Sequence, residues 1–98
     1  MKLVAVLLAA GSGQRFGGDK LAEVVGGKPV WQHSFETLLN HPLVNGIVVV
    51  TSPTNYTTIR EQVGERAEVI LGGDTRTAST IAGMWKAAQV GATHIAFH

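Results

Sequence analysis

Ninety-eight residues are the size of one small domain, and 45% of them are hydrophobic against 15% charged, a balance that excludes a disordered chain. Eight basic and seven acidic residues leave a net charge of +1, so neither a nucleic-acid-binding arm nor a basic membrane-surface patch is indicated. With no cysteine there is no disulfide framework and no thiolate metal site; the longest apolar run, 3–10, is too short to span a bilayer, and the expected compartment is the cytoplasm.

The first element in chain order is the continuous apolar run 2–9, Lys-Leu-Val-Ala-Val-Leu-Leu-Ala. Continuous rather than alternating hydrophobicity predicts a strand buried on both faces, as in a parallel sheet. Residues 21–25 suggest a further short strand, and Gly26-Gly27 a tight turn. Pro29 suits a first helical turn, and Trp31, Phe35, Leu38 and Leu39 follow at i, i+4, i+7 and i+8. The predicted helix stops near Asn40, because His41 precedes Pro42 and is pushed out of the helical region. Gly46–Thr51 repeats the buried-strand signature with β-branched residues. Residues 51–55 then form a loop, and 54–63 a weaker helix with Tyr56, Ile59 and Val63 on one face. A short strand over 67–71 precedes a stronger helix over 79–90, whose Ile81, Met84, Trp85 and Ala88 recur at i, i+3, i+4 and i+7. Thr77 or Ser79 is the expected cap and Gly91 the stop. A last strand covers 93–97. Alternation of this kind predicts an α/β fold with a mostly parallel sheet and right-handed crossovers. Because 95–98 reads as a strand without a following turn or helix, the expectation is a truncated fold, one part of a longer protein.

Two glycine-rich segments carry the candidate chemistry. Ala9-Ala10-Gly11-Ser12-Gly13-Gln14-Arg15-Phe16-Gly17-Gly18-Asp19-Lys20 directly follows the first strand. Small residues there let main-chain N–H groups face an anion; Arg15 adds a planar fork suited to phosphate oxygens and Lys20 a compact positive charge. A triphosphate cradle is the reading that uses all of these. Two familiar glycine loops fit less well. A dinucleotide fingerprint needs a third glycine or alanine where Phe16 stands, and a Walker A loop needs Gly-Lys-Ser/Thr, whereas Asp19 separates Gly18 from Lys20. The second segment, Gly72-Gly73-Asp74-Thr75-Arg76-Thr77-Ala78-Ser79, follows the third main strand and opens the strong helix. Its glycine amides suit a base edge, Asp74 can accept from an amine or hydroxyl, and Ser79 can bond a ribose hydroxyl. The plainer alternative is a helix entry in which Asp74 and Ser79 only cap.

Together, Ala9-Ala10-Gly11-x-Gly13-x-Arg15, Lys20 and Gly72-Gly73-Asp74-x-Arg76-x-x-Ser79 resemble the 2-C-methyl-D-erythritol 4-phosphate cytidylyltransferase family. Gly27-Lys28-Pro29-Val30, His33-Ser34 and His41-Pro42 are similar in spacing. The resemblance runs across the whole chain, which would cover well under half of such an enzyme. It implies a Rossmann-like three-layer fold of the nucleotide-diphospho-sugar transferase kind, with residues 1–98 as the N-terminal nucleotide-binding part of a larger nucleotidyltransferase domain. It further implies CTP and a polyol phosphate as substrates, a divalent cation such as magnesium, a homodimeric parent, and a role in isoprenoid precursor synthesis. By matching positions, main-chain groups from Ala10 through Gly11, Ser12 and Gly13 hold the triphosphate, and Arg15 and Lys20 are the catalytic cations. Gly73, Asp74 and Ser79 recognise cytosine and ribose, with Ala9 and Ala10 lining the base pocket. The resemblance places the metal-holding aspartate after the position of His98, in a stretch beginning Asp-Ala-Ala-Arg-Pro, so the 98-residue chain alone is expected to be inactive.

The sequence departs from the family at Asp19 and Leu21, where proline and glutamine commonly flank the lysine, and at Leu8, often a proline. Gly18-Asp19-Lys20 is similar to the molybdenum-cofactor cytidylyl- and guanylyltransferases. Ribitol 5-phosphate cytidylyltransferase and a non-catalytic nucleotide-binding module are the other readings. Of the remaining residues, His94 and His98 would lie about 13 Å apart on a strand at roughly 3.3 Å per residue, too far to share a metal. Trp31, Phe35, Met84 and Trp85 are expected in the core, and Lys28, Arg60 and Arg66 are read as solvated charges.

Overall fold

The computed structural model describes residues 1–9, 24–25 and 28–98. Four parallel strands form the central sheet: β1 (Leu3–Ala9), β4 (Gly46–Thr51), β5 (Glu68–Leu71) and β6 (His94–Phe97), in the order β5-β4-β1-β6. β2 (Val24–Val25) pairs antiparallel with β3 (Lys28–Pro29) as a separate two-stranded ladder, so the extra strand expected within 21–25 exists outside the main sheet. The helices are α1 (Val30–Leu39), α2 (Pro53–Val63) and α3 (Arg76–Gln89), and a 3-10 turn covers Gly64–Arg66.

The valine-rich runs form strands because both faces of the sheet are covered. Leu7, Ala9, Ile47, Val49 and Val69 share one face with Trp31 and Phe35 of α1 and Ile59 and Val63 of α2. Val4, Val6, Val48 and Val50 form the other face, against Ala87 of α3. The result is three layers, as expected. In-register pairing of Val4 with Gly46 and Ile95 keeps side chains of neighbouring strands on a common face, as parallel ladders require.

Helix ends follow local chemistry. α1 starts immediately after Pro29, which itself lies in β3, and α2 takes Pro53 at its first position, one residue earlier than expected. The cap of α3 is neither Thr77 nor Ser79 but Thr75, whose hydroxyl accepts from the Ala78 N–H at 3.0 Å. Its far end closes as expected at Gly91, with φ at 89°. The Gly91 N–H donates to Ala88 O and the Ala92 N–H to Ala87 O, the paired bonds of a Schellman ending.

The face of α3 is the main correction. Ile81, Met84, Trp85 and Ala88, expected to pack inward, are the exposed side; Ile81 is 48% exposed, Met84 45% and Trp85 71%. The buried side is Ser79, Gly83 and Ala87. A β-carbon on Gly83 would lie 2.5 Å from Val6 Cγ1 and 3.1 Å from Val50 Cγ2. The helix therefore sits so close to a flat valine layer that only small residues fit between. In α1, by contrast, Trp31 and Phe35 are core residues as expected, with ring centroids 6.4 Å apart, while Leu39 is exposed. Arg66 is more than a solvated charge: it bonds Val63 O at the end of α2 and lies over the Phe35 ring at 5.2 Å.

Candidate functional site at the carboxyl edge of the sheet

Strand order selects one edge. From β1 the chain builds outward through β4 to β5, then returns to place β6 on the opposite side of β1. The direction of winding reverses between β1 and β6, and in open α/β sheets ligands bind outside the carboxyl ends of strands at such a reversal. Ala9 ends β1 at that edge. The side chain of Ala9 is buried among Leu7, Trp31 and Phe35, which leaves its main chain as what it can offer a ligand. Ala10, Gly11, Ser12, Gly13, Arg15 and Lys20 lie outside the described residues. The β1–β6 ladder continues to His98, whose N–H donates to Val6 O at 2.9 Å and whose C=O accepts from the Leu8 N–H at 3.1 Å. His98, set aside as a metal ligand, thus stands at the reversal point itself.

The Gly72–Asp74 turn leaves β5 on the same edge, two strand spacings or roughly 10 Å from β1. Its path is fixed by three hydrogen bonds. The Gly72 N–H donates to Thr51 O at 2.8 Å, joining the turn to the end of β4. The Gly73 N–H donates to Ser79 Oγ at 3.2 Å, and the same hydroxyl donates to Gly73 O at 3.4 Å. Gly73 is close against α3, since a β-carbon there would meet Ala78 Cβ at 2.4 Å. Asp74 is exposed and has no side-chain partner among the described residues. The structure therefore brings Ala9, Gly73, Asp74 and Ser79 to one edge, with Asp74 open and Ser79, 4% exposed, turned inward.

Thr51 is a contributor that pattern reading missed. It is fully buried at the end of β4, and the signal was its position closing a valine run just before Ser52-Pro53. Among the described residues no three His, Cys, Asp or Glu side chains converge on a point, so these residues do not assemble a metal site on their own. A cleft of about 560 Å³ bounded by Lys2, Asn45, Arg60, Glu65 and Arg66 lies at the opposite, amino-terminal edge. Its cations are already engaged: Lys2 Nζ donates to Val90 O, Arg60 to Tyr56 Oη, and Arg66 to Val63 O. No helix among the described residues is long and apolar enough to cross a membrane.

A parallel α/β sheet in which a strand terminus and a glycine-containing turn share the carboxyl edge at a winding reversal is of the class of fold that commonly binds nucleotides. Comparison with known proteins narrows the class. The family model of IspD, 2-C-methyl-D-erythritol 4-phosphate cytidylyltransferase, matches residues 3–98, and the chain belongs to that family. The chain is 36% identical over 92 residues to the 2-C-methyl-D-erythritol 4-phosphate cytidylyltransferase of Yersinia pseudotuberculosis, covering 90% of this chain and 38% of that protein. It is 30% identical over 105 residues to the bifunctional enzyme IspD/IspF of Bartonella bacilliformis, covering 26% of that protein. Among solved structures, a 4-diphosphocytidyl-2C-methyl-D-erythritol synthase superposes with a TM-score of 0.77 at 25% identity, over 99% of this chain and 44% of the other. The bifunctional IspDF of Campylobacter jejuni superposes at 0.73, over 99% of this chain and 26% of its own length. The chain thus spans less than half the length of each of these relatives.

Proposed function

We propose that the protein carrying this chain transfers CMP from CTP to 2-C-methyl-D-erythritol 4-phosphate and releases pyrophosphate, and that residues 1–98 form the nucleotide-binding part of its site. The observation that carries the reading is the convergence of the β1 terminus and the Gly72–Asp74 turn on one carboxyl edge in a chain of this family. On this reading an oxygen of the acceptor phosphate attacks the α-phosphorus of CTP. A P–O bond forms there as the bond to the β-phosphate oxygen breaks, and pyrophosphate leaves with that electron pair. Such a transfer asks a protein mainly for positioning and for stabilisation of charge.

Main-chain N–H groups of residues 10–13 are assigned to the triphosphate, and Arg15 and Lys20 to the charge that builds on the α-phosphate oxygens. The Gly72–Asp74 turn takes the cytosine: a carboxylate acceptor at Asp74 suits the cytosine 4-amino donor and opposes the O4 acceptor of uracil. Ser79 belongs to the same wall. A magnesium ion belongs to the reading as counter-charge on the phosphates, since this ion commonly binds through one or two carboxylates plus substrate phosphates. The described residues supply no complete ligand set, and no step is routed through it. A cytoplasmic, homodimeric parent is part of the same proposal.

The test is pyrophosphate release by the full-length protein given CTP and magnesium, with 2-C-methyl-D-erythritol 4-phosphate and ribitol 5-phosphate as competing acceptors. Turnover with the erythritol phosphate alone supports the reading. Turnover only with ribitol phosphate would reassign the acceptor, and none with either would reject the transferase.

A further inference from the structure

We propose that an apolar trough between α3 and β6 is the seat of a further helix of the same polypeptide, the crossover helix that follows β6 in the full-length protein. Four of the eight large hydrophobic side chains exposed among the described residues belong to this corner: Ile81, Met84 and Trp85 on α3, and Phe97 on β6. Exposed apolar side chains scattered singly need no explanation, whereas a contiguous patch marks a surface that something covers. The trough has a wall and a floor. α3 lies over β1 and β4 and also reaches β5. Its Lys86 flank is turned toward β5 by the ion pair with Glu68 at 4.0 Å. At roughly 100° per residue, Met84 and Ala88 stand about 160° round the helix from Lys86, on the flank nearer β6. The register of β6 sets Ile95 beside Val4 and Phe97 beside Val6, so both belong to the α3 face of the sheet. Ile95 packs against the valine layer there, but Phe97 is left exposed.

Topology says what fits there. α1 and α2 carry the chain from β1 to β4 and on to β5, and both pack on the face of Leu7 and Val49. α3 carries it the opposite way, from β5 to β6, and packs on the other face. Right-handed crossovers require this switch of face with direction. β1 and β4 each have a neighbour on both sides, so a further parallel strand can join only outside β6 or outside β5. Continuing past β6 keeps the direction of α3 and lays the connecting helix on the same face, alongside Met84 and over Phe97. Returning to β5 would lay it on the opposite face and leave the trough bare. The open apolar patch therefore selects the outward route. Relatives have chain to supply the helix, since the solved synthase is matched over 99% of this chain but 44% of its own. The occupant is an amphipathic helix of about 10–14 residues with its apolar stripe toward Met84 and Phe97. Seated there, it would also tie down the chain where it leaves β6 beside the β1 terminus.

The experiment has two arms in the full-length protein. In the first, native Ile81→Cys and Met84→Cys variants are treated with a thiol reagent, and labelling is read site by site by mass spectrometry. Glu61→Cys, at an exposed position of α2, is the reference. The expected result is labelling at 81 and 84 at least about tenfold slower than at 61, at every protein concentration. Equal rates would show the face bare and overturn the proposal. Slow labelling that reaches the reference rate on dilution to monomers would assign the face to a second copy, and overturn it too.

The second arm identifies the occupant. A photoreactive diazirine analogue of methionine is incorporated at Met84, the protein is irradiated, and the cross-linked peptide is sequenced by mass spectrometry. The analogue keeps nearly the shape of methionine, so this arm decides the matter even if a cysteine variant fails to fold. Insertion within about 25 residues after His98, the length of a loop and one helix, is expected. Insertion only elsewhere in the chain, insertion between two chains, or no cross-link at all would reject the crossover helix as the occupant. Neither arm uses a nucleotide, so both read the same whether or not the cytidylyl assignment holds.

Discussion

At the scale of single residues, charge decides the chemistry and small hydroxyls decide the geometry. Arg15 and Lys20 are the two cations in the segment that leaves the end of β1. A donor aimed at charge that appears in the transition state commonly contributes about 3 kcal/mol to the barrier. Arg15→Ala and Lys20→Ala in the full-length protein should therefore each lower turnover by about a hundredfold or more. Steady-state kinetics with CTP checks this, and unchanged turnover in either variant removes that residue from the mechanism. Residue types and spacing made Asp74 and the glycines legible as site candidates. They did not reveal what the Ser79 hydroxyl touches. α3 starts at Arg76 with Thr75 as its cap, three residues before the start expected from the pattern, and Ser79 faces inward because it lies on the same stripe as Gly83 and Ala87, at i, i+4 and i+8. There its hydroxyl bonds the main chain of Gly73.

At the scale of elements, the strands and the first two helices follow directly from hydrophobic pattern, and α3 shows where such a pattern misleads. Hydrophobicity ranks Ile81, Met84 and Trp85 above Ser79, Gly83 and Ala87 as core residues. Packing reverses the order, because a helix lying close on a valine layer needs small side chains at the contact. Pattern reading weighs how apolar a side chain is and is blind to how much room its partner leaves. Gly83→Ala tests this contact. Alanine is the better helix former by about 1 kcal/mol, but its β-carbon would come within 2.5 Å of Val6 Cγ1. Overpacking of this kind costs about 1–3 kcal/mol, and the β-branched Val6 is held in the sheet without freedom to swing aside. The variant should be destabilised by about 1 kcal/mol net, read as a lower denaturant midpoint in urea unfolding of the full-length protein. A raised midpoint would mean that α3 stands farther from the sheet.

At the scale of the whole molecule, strand order matters more than any one side chain. Alternating strand and helix patterns made the α/β class and the parallel sheet legible, because buried parallel strands leave continuous apolar runs. The order β5-β4-β1-β6 was not legible, since a run of residues does not carry the identity of its neighbour in the sheet. Yet that order creates the winding reversal between β1 and β6 and puts the β1 terminus, the Gly72–Asp74 turn and His98 on one edge. The most direct measurement of the central claim is a crystal structure of the full-length protein with CTP. The triphosphate should lie beside residues 10–20 with Arg15 and Lys20 turned toward it, and cytosine against Gly72–Asp74. A nucleotide bound elsewhere, or both cations turned away from it, would mean that this edge is not the nucleotide site.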